Sequence, residues 1–252
     1  MNTVQLKYSW LSDVLPEGWP YPSSTVLSGP MGAGKPLIAG AFLSSWLQNG
    51  GSIISMPLQF PDPAFTTQNM KDLYHFDMNK YQEQMVFVSF NPEIDGVHQQ
   101  KERHLEADLV IPENWYEVIR QSKALLPSDD GILLFSTAIN LPLVADRYAD
   151  PLLEMFHQLF TDPSGMSYLF ALSTSMVNDR AGQVTEMADN LVDGYISRDN
   201  KLRFEILRMK GVEFRKGEQQ VPFGARNLQD AEERAKKYRV APVHLIKKRY
   251  NL

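Results

Sequence analysis

The sequence predicts an α/β protein with a mainly parallel, twisted sheet, helices on both faces and an antiparallel C-terminal extension. Three observations carry this. Short apolar runs alternate with amphipathic helical patterns along the chain, the signature of parallel strands joined by crossover helices. Two of the runs, 132–135 and 168–172, are almost wholly apolar, as strands buried on both faces are. The length, 252 residues, lies near the size at which a single core stops growing.

Taken in order, strands are predicted at 24–27, 52–56, 85–90, 131–136, 167–173, 191–197 and 202–207. Helices are predicted at 35–47, 64–74, 114–125, 147–160, 183–190 and 227–238. The first five strands are separated by helical patterns. The last two are not, and read as the antiparallel extension, turning at 198–200. Proline and glycine cluster at 16–22, 57–63 and 92–96, where strands and helices end. The polar stretch 91–112 reads as a surface insertion or loop; about 20 structureless residues inside a domain is unusual unless they are functional. Residues 1–224 form one core domain and 225–252 a basic helical tail.

Composition narrows the class. An apolar fraction of 43% is ordinary for a globular domain and excludes global disorder. The absence of cysteine excludes disulfides, thiolate zinc sites and a cysteine nucleophile. No basic-then-apolar leader opens the chain, and no apolar run approaches the ~20 residues of a membrane span. A cytoplasmic location without membrane association is expected. The net charge of −5 hides an asymmetry. Arg234, Lys236, Lys237, Arg239, Lys247, Lys248 and Arg249 are accompanied by no acid, leaving the body at −12. Such a tail reads either as a solvated amphipathic helix or as a contact surface, with nucleic acid a candidate partner.

The strongest local signal is Gly29, Pro30, Met31, Gly32, Ala33, Gly34, Lys35 and Pro36, lying between an apolar strand and a helical pattern. Glycines let backbone N–H groups converge on a phosphate, the helix dipole favours the anion, and the lysine adds a point charge. Position 36 breaks the pattern. A hydroxyl residue there would ligate Mg²⁺, but Pro36 has neither hydroxyl nor backbone N–H, while its ring is tolerated in a first helical turn.

With this loop in place the chain resembles the RecA-like P-loop ATPases of the KaiC/RadA type over most of residues 10–224. The lead-in Leu11, Ser12, Asp13, Val14, Leu15, Pro16, Glu17, Gly18, Trp19, Pro20 is similar to the family's stretch before the first core strand. Ala188, Asp189, Asn190, Leu191, Val192, Asp193 and Gly194 resemble its Ala-Asp-Gly-Val-Ile strand. Ile206, Leu207, Arg208, Met209, Lys210 and Gly211 resemble its Ile-x-Lys-x-Arg-Gly segment, with the basic residues exchanged. The resemblance implies a bound ATP or ADP and an oligomer of like or related subunits. It also makes Arg208 and Lys210 candidate contacts to a neighbour's phosphates; equally they read as charges guarding an edge strand.

Two further positions depart from that family. Where relatives carry a water-activating glutamate after the second core strand, Gln59 is the nearest polar group, and Asp62 would serve only if its loop folded back. An amide orients water but takes no proton at pH 7. Where relatives carry a metal-holding acid, at the end of strand 131–136, stand Ser136 and Thr137; Asp129 and Asp130 precede that strand as turn residues. These losses count against Mg²⁺ and against phosphoryl transfer. Ser173, with Thr174 and Ser175, stands where relatives sense the terminal phosphate; it reads either as that sensor or as the end of a strand. His98, Glu102 and His104 do not have metal-ligand spacing, and no metal site is expected. The sequence expectation is therefore an ATP-binding protein with a degenerate catalytic site, regulatory or scaffolding in an oligomer. The alternatives are an active ATPase using non-standard residues, or a nucleotide-free interaction subunit on the same scaffold.

Overall fold

In the computed structural model, which describes residues 2–127, 131–176, 178–240 and 242–251, one ten-stranded sheet forms the centre. Asp129 and Asp130 lie outside the described residues. The chain opens with a two-stranded ribbon, β1 (Asn2–Val4) and β2 (Trp19–Tyr21), around a short helix α1 (Ser9–Ser12). It then enters the large sheet. In chain order come β3 (Ser24–Ser28), α2 (Lys35–Gln48), β4 (Ser52–Pro57), α3 (Pro63–Tyr74), β5 (Met85–Phe90), β6 (Val97–Lys101) and β7 (His104–Ala107). After these follow α4 (Pro112–Leu125), β8 (Ile132–Thr137), α5 (Asp146–Thr161), β9 (Ser167–Ala171), α6 (Asn178–Met187), β10 (Asn190–Ile196), β11 (Leu202–Arg208), β12 (Gln219–Gln220), α7 (Ala225–Tyr238) and α8 (Pro242–Tyr250). No helix of the described residues is long and apolar enough to cross a membrane.

The spatial order is β12-β11-β10-β3-β9-β8-β4-β5-β7-β6. Seven strands, from β10 to β7, run parallel. Their side chains alternate between two cores, as period-2 strands must. Val26, Ile54, Leu134 and Phe170 face the layer that holds α4, α5, α6 and α8. Leu27, Ile53, Leu133 and Leu169 face α2 and the N-terminal ribbon. Burial of both faces explains why β3, β4, β8 and β9 lack a polar side. Helix α2 is buried nearly all round because the ribbon closes over its outer face. Trp19 packs edge-on against Phe42 and Trp46, and its indole N–H donates to the Thr25 hydroxyl at 3.0 Å.

Three expectations need correction. The stretch 91–112 is not a loop. Its β6 and β7 form an antiparallel hairpin whose second strand extends the parallel sheet beside β5. Leu105 and Ala107 point into the core, while β6 exposes nearly every residue and so carries no apolar signal. The strand predicted at 191–197 belongs to the parallel body, paired with β3; the antiparallel extension comprises β11 and β12. Helix α6 begins five residues earlier than predicted and ends at Met187, because Asn190 already pairs with Thr25.

Candidate functional site

In parallel sheets, ligands bind beyond the carboxyl ends of the strands. Here the ends of β3, β4, β8, β9 and β10 open on one cavity of about 460 Å³. Met31, Gly32, Ala33, Gly34, Lys35 and Pro36 form one wall. Gln59 and Phe60 come from the end of β4, Thr137 and Ala138 from β8, Ala171 and Ser173 from β9, and Ile196 from β10.

The loop is held in a defined shape. Gly29 has φ +135° and lies against Gly194 of β10. Gly34, at φ +68°, caps α2, and Pro36 falls in the first helical turn. The Lys35 side chain turns back into its own loop, where Nζ donates to the carbonyls of Gly29 at 2.9 Å and Pro30 at 2.7 Å. Burial lowers its pKa to about 8, against the opposing pull of Asp193, whose carboxylate accepts from the Ser28 hydroxyl at 2.7 Å. The turn after β9 stitches onto the loop from the other side. Thr174 N–H donates to the Gly29 carbonyl, and Met31 N–H donates to the Ser175 hydroxyl at 3.2 Å. Ser173 is itself fixed, its N–H donating to the Asn140 side-chain oxygen at 3.2 Å. A phosphate bound here would compete for donors that the loop and its neighbours also satisfy internally.

Of the other predicted residues, Gln59 lines the cavity and its carbonyl accepts from Val240 N–H at 3.0 Å. Asp62 does not reach it. The loop does not fold back, and the Asp62 carboxylate caps α3 by accepting from Ala64 N–H at 2.8 Å. Asp62→Ala should therefore cost about 1 kcal/mol of stability, the usual worth of an N-cap, and leave ligand binding unchanged. Chemical denaturation and a binding titration on the same variant check both halves. Ser136 is also displaced: fully buried, its hydroxyl donates to the Met56 carbonyl within the sheet. The adjacent Thr137 faces the cavity instead. It is 4% exposed, and its hydroxyl has no hydrogen-bond partner among the described residues.

Arg208 and Lys210 lie near the start of β3, at the amino ends of the parallel strands and so away from their own cavity. Arg208 donates to the carbonyls of Thr185 and Ala188, and Lys210 pairs with Asp189 at 2.6 Å, while Asp189 also accepts from Ser24 N–H. His104 meets the Ser89 hydroxyl and His98 the Asp95 carbonyl, on separate strands of the edge hairpin and its neighbour.

The tail supplies residues that the sequence reading did not assign to the site. Helix α7 lies across the mouth of the cavity and contributes Leu228, Ala231, Glu232 and Ala235 to its lining, with Arg239 just past its end. The spacing of Leu228, Ala231, Ala235 and Tyr238 makes one amphipathic stripe, legible as helical but silent about what it covers. Arg234 anchors the helix on α3, donating to Asn69 and to Asp72 at 2.9 Å each. Lys236 pairs with Glu232, Arg249 with Asp95, and Arg239 sits over the Phe60 ring. Much of the tail's basic charge thus has an intramolecular use.

Among solved structures, the chain is similar to the KaiC-like protein PH0186 from the hyperthermophilic archaeon Pyrococcus horikoshii OT3. The TM-score is 0.62 at 15% identity, over 88% of this chain and 96% of that one. The likeness at this identity is one of fold: a RecA-like α/β architecture with a mostly parallel sheet flanked by helices. No protein-family model matches the chain, and no curated protein matches it in sequence.

Proposed function

We propose that this chain is a RecA-like nucleotide-binding protein, with ATP or ADP as ligand, whose hydrolysis is weak or absent and whose role is regulatory or scaffolding. The carrying observation is the pairing of a phosphate-type loop with a cavity whose one acid among the described residues is Glu232 of α7, with none from the ends of β4 and β8. Lys35 and the loop amides stand at one wall, while the ends of β4 and β8 present the Gln59 amide and the Thr137 hydroxyl. Neither group takes a proton at neutral pH. One lost electrostatic contact costs roughly 10²–10³ in rate, and the effects of groups acting as a unit do not simply add. In an oligomer with a second copy or a related subunit, the neighbour's Arg208 and Lys210 would reach this cavity only by leaving their own-chain partners, the carbonyls of Thr185 and Ala188 and the carboxylate of Asp189.

The test is binding first, turnover second. Saturating ATP at about 100 times its dissociation constant should add about 2.7 kcal/mol to stability. For a chain of this size that is a rise in Tm of roughly 5–10 °C. Lys35→Ala should abolish the shift. A fully bound wild type with fast ATP turnover would overturn the degenerate reading, and no shift at any nucleotide concentration would overturn binding itself.

The pH dependence has a fixed sign. Phosphate favours charged Lys35, so affinity should fall as pH rises through about 8, the pKa of Lys35 in the free protein. The unliganded fold has the opposite trend between about 8 and 10.5, because the unfolded chain holds that proton more tightly. Titrations of affinity and of Tm against pH check the two slopes.

A further inference from the structure

Nucleotide sites of this fold class commonly use Mg²⁺, and the residues here do not fit it. Mg²⁺ is held by carboxylates, hydroxyls and water in near-octahedral geometry. The position after Lys35 is Pro36, without hydroxyl or N–H. Strands β4 and β8 deliver neutral donors, Gln59 and Thr137. Among the described residues lining the cavity the one acid is Glu232, which α7 brings to the mouth already paired with Lys236 at 2.8 Å.

The same cavity holds a second cation. Arg239 lines it together with Lys35, and no carboxylate pairs with its guanidinium among the described residues. Its place is fixed from three sides. Arg239 N–H closes the last turn of α7 on the Ala235 carbonyl, and the next residue, Val240, donates to the Gln59 carbonyl at 3.0 Å. The guanidinium carbon lies 5.9 Å from the centre of the Phe60 ring, which is stacked on Phe65. Arg234, bound to Asp72 and Asn69, keeps the helix that carries it on α3. Guanidinium is permanently charged, weakly hydrated and matched in geometry to phosphate oxygens.

We propose that Arg239, rather than a divalent cation, neutralises the distal phosphates of a polyphosphate ligand held by the loop at 29–36, so that the chain binds metal-free nucleoside triphosphate. This rests on the binding reading given above and extends it. In this arrangement the loop and Lys35 would hold one phosphate, and Arg239, on the part of the lining that α7 and its end supply, would meet another. A nucleoside monophosphate has a single phosphate and would not engage both.

The experiment titrates ATP, ADP and AMP by calorimetry into wild type, Arg239→Ala, Arg239→Lys and Lys35→Ala, each in EDTA and in Mg²⁺. Wild type is expected to bind ATP in EDTA within about twofold of its affinity in Mg²⁺. Arg239→Ala should weaken ATP about tenfold while changing AMP less than twofold, with Arg239→Lys partly restoring the loss; tenfold is the scale of one charge-assisted contact. Arg239 is exposed, so its Tm without ligand should be unaltered, which separates a binding role from a structural one. ATP binding that requires Mg²⁺ overturns the proposal. So does an Arg239→Ala variant that weakens ATP and AMP equally, or neither. If Lys35→Ala abolishes binding in those cases, the loop reading survives. Wild type that binds no nucleotide in either buffer overturns the loop reading and this inference with it.

Discussion

A chain ending at Gly224 is expected to lose about 4 kcal/mol of stability, and its Tm to fall by roughly 8–16 °C. The tail is charged, yet it behaves as part of the core. Ile246 is fully buried beside the helices of one sheet face, with Val243 and Tyr250 packed against the same cluster. A fully buried side chain of that size contributes about 1.5–3 kcal/mol. Tyr250 Oη donates to the Asp108 carboxylate, which is 2% exposed and held on its other oxygen by Val110 N–H. On the other face α7 covers Phe60 and Phe65 and satisfies Asp72 through Arg234. Against these stands the conformational entropy recovered by about 28 released residues, which is why the net figure is smaller than the contacts suggest. Ile246→Ala in the full chain isolates one contact and should cost about 2–4 kcal/mol. Thermal denaturation of both proteins checks this; a truncated chain melting with the full one would show the tail to be a passive appendage.

How far the sequence reveals this molecule depends on what each residue must satisfy. The central strands are legible because burial on both faces favours an unbroken apolar run, as at 132–135 and 168–171 within β8 and β9. The same demand erases phase. With no polar side to mark the alternation, Ser136 and Thr137 look equivalent, and one residue of register decides which hydroxyl meets the cavity and which bonds the Met56 carbonyl. The edge hairpin is illegible for the opposite reason. β6 reads Val-His-Gln-Gln-Lys, solvated on both sides, and no apolar pattern marks it as a strand. The glycine loop is read from spacing alone because its backbone geometry needs glycine at fixed positions. Asp62 is a carboxylate near the right place in sequence, but the cap of α3 claims it. Arg239 gives no local signal. Its meaning comes from the docking of α7 on α3, a contact between segments about 165 residues apart.

The largest effect of a single methyl group is expected at Gly29. Its φ of +135° lies in a region that L-residues rarely adopt, and a Cβ there would come 2.0 Å from the Gly194 carbonyl oxygen. Backbone cannot swing aside as a flexible side chain can, so Gly29→Ala must part β3 from β10, two strands bonded in parallel register from Thr25 to Ser28. Strained φ alone costs about 1–3 kcal/mol, and displacing the strand pair adds to it. A loss of 3 kcal/mol or more is expected, a fall in Tm of about 6–12 °C. The consequence for the site is separate and stronger. The Gly29 carbonyl receives both Lys35 Nζ and Thr174 N–H, so moving it unseats the lysine and uncouples the turn after β9. Nucleotide binding should be lost even at temperatures where the variant is fully folded. Gly32→Ala is the control. Gly32 also has positive φ, at +78°, but the space around its missing Cβ is open. It should cost about 1 kcal/mol, well below the cost at Gly29. If the two alanine variants proved equal in stability, the tight approach of Gly29 to Gly194 would not be what shapes this loop.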